Sequence, residues 1–283
     1  MATMPKLPRR LGVCSWSLQP HSVEELVRSV RACGVECIQL SLASLRTRSF
    51  DRERTSDALS DAGITIRSGM TAMRGEDYSS LESIRRTGGI RLDAHWRENL
   101  AIARADADNA SALGLELVTF HAGFLPHDRT DPERPKLLER LQTIVDVFAD
   151  RGLNVGFETG QESAATLLEF LSDLDRDTAG VNFDPANMIL YGMGDPVVAL
   201  EELGRLVAQV HVKDARAAKQ PGAWGQEVIV GQGEVDWPQF FAVLDDVAPS
   251  VDLMIEREAG TQRIADVKQA RDFVRSVTGA ART

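Results

Sequence analysis

The sequence predicts an α/β protein, a single (β/α)8 TIM barrel of eight parallel strands with outer helices, and three observations carry that prediction. Short apolar runs alternate with longer amphipathic ones along the whole chain. Eight such runs occur in 283 residues, or about 35 residues per strand–helix unit, a normal spacing for this barrel. No Gly-rich phosphate turn follows the first run, where Ser-Leu-Gln-Pro-His stands instead, so an open doubly wound sheet is disfavoured.

The eight runs lie at 11–16, 37–42, 64–70, 115–123, 154–159, 180–184, 207–214 and 251–258, each rich in Val, Ile, Leu or Phe. Between them come helical patterns at 22–34, 97–113, 135–152, 163–174, 195–206, 236–247 and 262–278. In the first, Ser22 can cap, Glu25 can close a capping box, and Val23, Leu26, Val27 and Val30 share a face. Gly34, Gly63, Gly114 and Gly152 sit where helices should turn into strands. Alternating strands and helices imply βαβ units and a parallel sheet. Residues 71–90 read as irregular. Residues 215–234 read as a long loop with Pro221, Gly222, Gly225, Gly231 and Gly233, of the kind that forms lids and binding loops. No low-complexity linker divides the chain, so 1–283 reads as one domain.

With 32 basic and 42 acidic residues the net charge is −10, a poor match to the phosphate backbone of nucleic acid. The three cysteines, Cys14, Cys33 and Cys37, cannot make a complete disulfide set. No second cysteine cluster completes a zinc site, so they read as buried thiols. The first residues lead into LGVCSW, too short for a signal-peptide core. No apolar stretch reaches the ~18 residues of a membrane span. The expected location is cytoplasmic, with no nucleic-acid or membrane partner.

Barrel chemistry sits at the C-terminal ends of strands. The runs there end in Trp16, His121, Glu158, Asp184, His211 and Glu256, the last four on strands five to eight in order. Alternation puts His211 with Lys213, and Glu256 with Glu258, on one face, while Phe157, Val212 and Ile255 face the helices. A carboxylate inside an apolar strand must be paired or metal-bound. Three carboxylates and an imidazole suit one divalent ion: Mn2+ first, with Mg2+, Co2+ or Zn2+ also compatible. The competing explanation is a buried ion-pair network neutralised by Lys213 or Arg257.

The stretches VGFETG (155–160), VNFDPANM (181–188), VHVKDAR (210–216), VGQGEVDW (230–237) and LMIERE (253–258), with FHAG (120–123), resemble the xylose isomerase-like barrel superfamily in its sugar isomerase/epimerase branch. The resemblance implies that Glu158, Asp184, His211 and Glu256 hold one divalent metal, and that Glu158 and Glu256 exchange protons with the substrate. Such a metal can chelate the carbonyl and neighbouring hydroxyl of a hydroxy-ketone and stabilise a cis-enediolate. By their place on the strands, His121 reads as a substrate contact or a support of Glu158, Lys213 as a substrate contact or a partner of Glu256 or Glu258, and Trp16 as a pocket wall or floor packing, while the resemblance implies substrate contacts at Asn187 and Arg216. Asp214 reads as a residue that orients a loop. Two positions depart from the pattern: Asn187 stands where many epimerases carry a His, and Gln39 where an acid usually ends strand two. The expected activity is isomerisation or epimerisation of a non-phosphorylated keto sugar or polyol. No Gly-rich helix start follows strands seven or eight to hold a phosphate. A dehydratase or lyase, or cleavage of 3-keto-glycosides, is the alternative on the same site, because elimination starts with the same proton abstraction. An apurinic-site endonuclease needs more His ligands than His21, His95, His121, His127 and His211 supply. A non-catalytic binding barrel would show eroded ligands. The family often forms dimers or tetramers, which makes a homo-oligomer the expectation.

Overall fold

A computed structural model describes residues 9–220 and 222–279 of the chain. Ten strands run in order: β1 Leu11–Cys14, β2 Cys37–Ser41, β3 Thr65–Met70, β4 Leu117–Phe120, β5 Asn154–Glu158, β6 Ala179–Phe183, β7 Val207–Val212, β8 Asp214–Arg216, β9 Gln226–Val228 and β10 Asp252–Ile255. The helices are α1 Val23–Cys33, α2 Leu42–Arg46, α3 Arg52–Asp61, α4 Leu81–Thr87, α5 Trp96–Ala112, α6 Glu133–Ala149, α7 Ala164–Leu174, α8 Pro185–Tyr191, α9 Pro196–Leu203, α10 Trp237–Val247 and α11 Arg263–Thr278. Strands β1 to β7 and β10 close into a parallel barrel, with β1 paired to both β2 and β10. This is the (β/α)8 fold that the alternation predicts. The closing register sets Leu11 beside Leu253 and Val13 beside Ile255.

The outward-pointing strand residues are apolar and buried against the helices: Val13, Ile38, Val118, Val155, Val181, Val210 and Leu253 among them. As alternation requires, Phe157, Val212 and Ile255 are buried in that layer. The inward-pointing residues are mostly small or polar. Ser68 Oγ meets Gln209 Oε1 at 2.5 Å, and Gln209 donates to Asn182 Oδ1 at 3.0 Å. Gln39 donates to Thr119 Oγ1 at 2.7 Å and to the Gly69 carbonyl at 3.4 Å. This buried network is satisfied by partners on other strands, which is what allows polar groups at a barrel centre.

Ser22 caps α1 by accepting the Glu25 N–H at 3.2 Å, but the Glu25 carboxylate accepts from His21 N–H (2.8 Å) one residue before the cap. The four glycines expected at helix-to-strand turns all adopt left-handed backbone, with φ from +67° to +73°. All three cysteines are free and buried. Two expectations are corrected. Residues 71–90 contain α4, started by Ser80, whose hydroxyl accepts the Ser83 N–H at 3.0 Å. The 215–234 stretch is tied into an antiparallel hairpin, with Asp214 opposite Val228 and Arg216 opposite Gln226. Among the described residues no helix is long and apolar enough to cross a membrane.

Candidate metal centre

At the C-terminal mouth of the barrel, Glu158, Asp184, His211 and Glu256 each offer a ligand atom within 4.8 Å of every other. All four are buried. Glu158 and His211 end β5 and lie in β7, Asp184 follows β6, and Glu256 follows β10. Asp184 has two tasks. It caps α8, accepting the Asn187 N–H on Oδ1 at 3.0 Å, with Pro185 at the first helical position. Its Oδ2 is left with no hydrogen-bond partner.

Lys213 Nζ donates to Glu256 Oε2 (2.9 Å), Glu258 Oε2 (2.5 Å) and Asn187 Oδ1 (3.2 Å). Trp16 donates its indole N–H to Glu256 Oε1 at 2.7 Å, and Asn187 donates to Glu158 Oε1 at 2.9 Å. His121 Nε2 lies 3.5 Å from Glu158 Oε2. Gly160 lets α8 approach: a Cβ there would stand 2.3 Å from the Asn187 Cβ. Of the substrate contacts expected from sequence, Trp16, His121, Asn187 and Lys213 surround the cluster. Arg216 does not. Paired with Gln226 in the hairpin, it donates its guanidinium to the Gln232 carbonyl at 2.9 and 3.1 Å. Asp214 clamps the loop, accepting from the N–H groups of Ala215, Gly231, Gly233 and Val235 and from Trp237 Nε1.

His211 has a fixed orientation. Its Nε2 lies 2.7 Å from Gln39 Oε1 and 3.1 Å from Asn182 Nδ2. One nitrogen cannot both donate and accept. The Gly69 carbonyl can only accept, so it fixes the Gln39 amide with its oxygen toward His211, and the shorter contact puts the proton on Nε2. Nδ1 then faces the cluster, 3.3 Å from Glu158 Oε1 and 3.5 Å from Glu256 Oε2. Burial works against a charged imidazole, yet Cys14, Glu158 and Glu256 raise its pKa well above the ordinary value, so a proton on Nδ1 is the one a cation would displace. Gln39 therefore sits beneath the site as a partner of His211, one layer below the rim.

The residues fit a divalent cation. Glu158 Oε2, Asp184 Oδ2 and His211 Nδ1 are buried and make no hydrogen bond, and their charged neighbours His121, Lys213 and Glu158 stay 3.3 to 3.6 Å away. Three buried carboxyls meet one ammonium, Lys213, which Glu258 shares, and unneutralised charge in such a site is costly, so the cluster attracts protons or a cation. Burial, with Glu256 and Glu158 adding to it, pushes the Asp184 carboxyl up to about 8. Burial opposes ionisation of Glu256 too, yet Lys213 and His211 hold it well below the usual carboxylate range. A bound cation takes the place of the protons such a site otherwise attracts. Cys14 lies close by, but burial pushes its thiol up to about 12 and keeps it a poor ligand. A cavity of about 420 Å3 lined by Arg67, Asn154, Arg205 and Asp252 opens at the opposite mouth, away from these groups.

The chain matches the xylose isomerase-like TIM barrel family over residues 27–277 and belongs to it. It is 31% identical to a xylose isomerase domain protein from Planctomyces limnophilus, with a TM-score of 0.86 over 96% of this chain and 98% of that one. An L-ribulose 3-epimerase superposes with a TM-score of 0.74 at 16% identity, over 97% of this chain and 99% of its own. Further similar barrels, 14 to 19% identical, include other sugar 3-epimerases, a probable dehydratase and a 3-keto-D-glucoside 4-epimerase. At that identity the likeness is one of fold. The uncharacterized protein YihM of Escherichia coli (strain K12) is 27% identical over 152 residues, 52% of this chain. The match spans only 45% of that relative's length.

Sequence reasoning missed Glu76, Tyr78 and Tyr191, which lie near Glu158 or His121, and Trp224, which packs on Tyr191. Tyr78 stands edge-on to His121, with centroids 6.4 Å apart. Glu76 is raised by burial against the pull of His121. A signal for Tyr191 existed: Asp-Pro at 184–185 starts a helix, and that puts Asn187 and Tyr191 four apart on one face.

Proposed function

We propose that the protein is a divalent-metal-dependent isomerase or epimerase of a non-phosphorylated keto sugar or polyol. The observation that carries this reading is the buried convergence of Glu158, Asp184, His211 and Glu256, whose ligand atoms lie within 4.8 Å of one another. These four would hold the ion, Mn2+ by preference, with Mg2+, Co2+ and Zn2+ as alternatives. When bound, the ion supplies a Lewis acid for a carbonyl and its neighbouring hydroxyl.

The protein's own groups divide the remaining work. Both Glu256 oxygens are engaged, by Trp16 and by Lys213, so this carboxylate is held ionised and oriented. Glu158 has one oxygen on Asn187 and the other free beside His121. With the ion held through Oε1, the oxygen 3.3 Å from His211 Nδ1, Oε2 would be the atom that takes the proton next to the carbonyl, with His121 placed to receive or return it. Burial excludes bulk water from the exchanged proton.

The test is proton NMR in D2O with Mn2+-loaded enzyme, the metal chelated before acquisition, on a panel of free ketoses and 3-keto-glycosides. Metal-dependent deuterium incorporation beside the carbonyl is expected, and Glu158→Gln should abolish it while the far-UV CD spectrum persists. Full exchange in that variant refutes Glu158 as base. An epimer or isomer as product supports the reading, and a released fragment assigns elimination in its place.

A further inference from the structure

The chain contains two tyrosines, and both stand beside the carboxylate cluster. Tyr191 lies one turn beyond Asn187 on the same face of α8, and helical side chains lean back toward the helix start, here the capping residue Asp184. Its hydroxyl is near enough to Lys213, Glu158 and Glu258 to feel their charge: burial and the two carboxylates raise its pKa, and the ammonium lowers it. Its ring packs edge-on against Trp224, centroids 5.0 Å apart, and against Phe124 at 5.6 Å. Trp224 is carried on the β8–β9 hairpin, which the Gly225 N–H ties to the Leu190 carbonyl of α8 at 3.3 Å. Phe124 is buried, but Tyr191 and Trp224 are only partly covered, and Tyr78 beside His121 is 46% exposed.

Half-exposed rings on the rim of a buried polar site serve to cover something. Pyranose rings have an apolar C–H face and polar edges, and aromatic rings with nearby hydroxyls match both. One helical turn is about 5.4 Å, close to the width of one sugar ring. Asn187, which bonds Glu158 and Lys213, stands about that rise from Tyr191 along α8, so a ring reacting beside Asn187 would bring its neighbour toward Tyr191 and the Trp224 ring packed on it. Glu76 and Glu258 near the mouth favour a neutral occupant over a phosphate.

We propose that Tyr191 and Trp224 form a second sugar subsite that stacks the non-reacting ring of a glycoside, so that the substrate is a keto-glycoside larger than a monosaccharide. The inference rests on the sugar-converting reading of the metal centre. It is tested by calorimetric titration of the Mn2+-loaded full chain with 3-ketoglucose and with 3-ketocellobiose. The disaccharide is expected to bind about tenfold more tightly. Trp224→Ala should bring the ratio of the two dissociation constants close to one, and Trp224→Phe, which keeps a ring, should restore most of it. A wild-type ratio near one, or a ratio untouched in Trp224→Ala, overturns the subsite; absence of binding by either sugar does the same. Deuterium exchange on the two sugars reports separately on enolisation: a tenfold binding preference without exchange upholds the subsite and refutes the proposed reaction.

Discussion

Replacing Gln39 by Leu isolates what the layer beneath the metal centre does. Leu has nearly the volume of Gln, so packing at this fully buried position is kept. What is lost is the acceptor for His211 Nε2–H at 2.7 Å and the donor to Thr119 Oγ1 at 2.7 Å. A buried donor without a partner costs about 1–3 kcal/mol, and for a chain of this size each kcal/mol lowers Tm by roughly 2–4 °C. The imidazole has an escape. Asn182 Nδ2, 3.1 Å from Nε2, is a donor whose amide is fixed by Gln209 bonding to its oxygen. In Gln39→Leu the ring should give up its Nε2 proton, accept from Asn182 there and keep the proton on Nδ1. That recovers part of the stability but blocks the atom that faces the cluster. Metal affinity should therefore fall by about 10- to 100-fold, the usual cost of losing such a partner. Gln39→Glu, which keeps an acceptor, should retain affinity. The assay is Mn2+ titration by calorimetry beside thermal unfolding of the metal-free protein. Unchanged affinity in Gln39→Leu with a lowered Tm would refute the tautomer argument and leave Gln39 a packing residue.

Two further predictions concern stability. Burial pushes the Glu162 carboxyl up to about 8 from an ordinary 4.5. Its stabilising, protonated form is fully present below the unfolded value and is lost as pH rises through the folded one, so the native state weakens between about pH 4.5 and 8. At ~1.4 kcal/mol per pKa unit the loss reaches at most about 5 kcal/mol. Glu162→Gln should flatten that slope in urea unfolding at pH 5, 6.5 and 8, and an unaltered slope would assign it elsewhere. Asp214, buried, collects five donors from the loop and from Trp237. Asp214→Ala should cost about 3–5 kcal/mol and make residues 226–235 exchange amide hydrogens faster; protection equal to wild type would show that the loop does not depend on it.

Much of the candidate site is legible because a parallel barrel converts chain order into position. The last residues of strands five to eight must neighbour each other at one rim, and period-two alternation tells which of them point inward. Glu158, Asp184, His211 and Glu256 follow from those two facts alone, as does the apolar layer holding Phe157, Val212 and Ile255. The start of α8 was also written locally, in Asp184-Pro185, but the short apolar run before it hid a second element too brief for a helical period to register. The same holds for α4, whose one signal is a serine cap.

The rest depends on which strands meet. Trp16 reaches Glu256 across 240 residues and His211 reaches Gln39 across 172, contacts that exist only because β1 closes against β10 and the barrel interior brings β2 opposite β7. Arg216 lies in the same motif as His211 and Lys213, yet the β8–β9 pairing sets it opposite Gln226 and its guanidinium bonds the Gln232 carbonyl. Tyr191 and Trp224 meet because Gly225 docks on α8. The sequence determined the fold class, the layering and the four-residue rim, since these rest on local periodicity and strand order. Tertiary structure alone decided the proton on His211, the partners of each Glu and the aromatic wall, because hydrogen-bond direction and ring contact are set by neighbours far away in the chain.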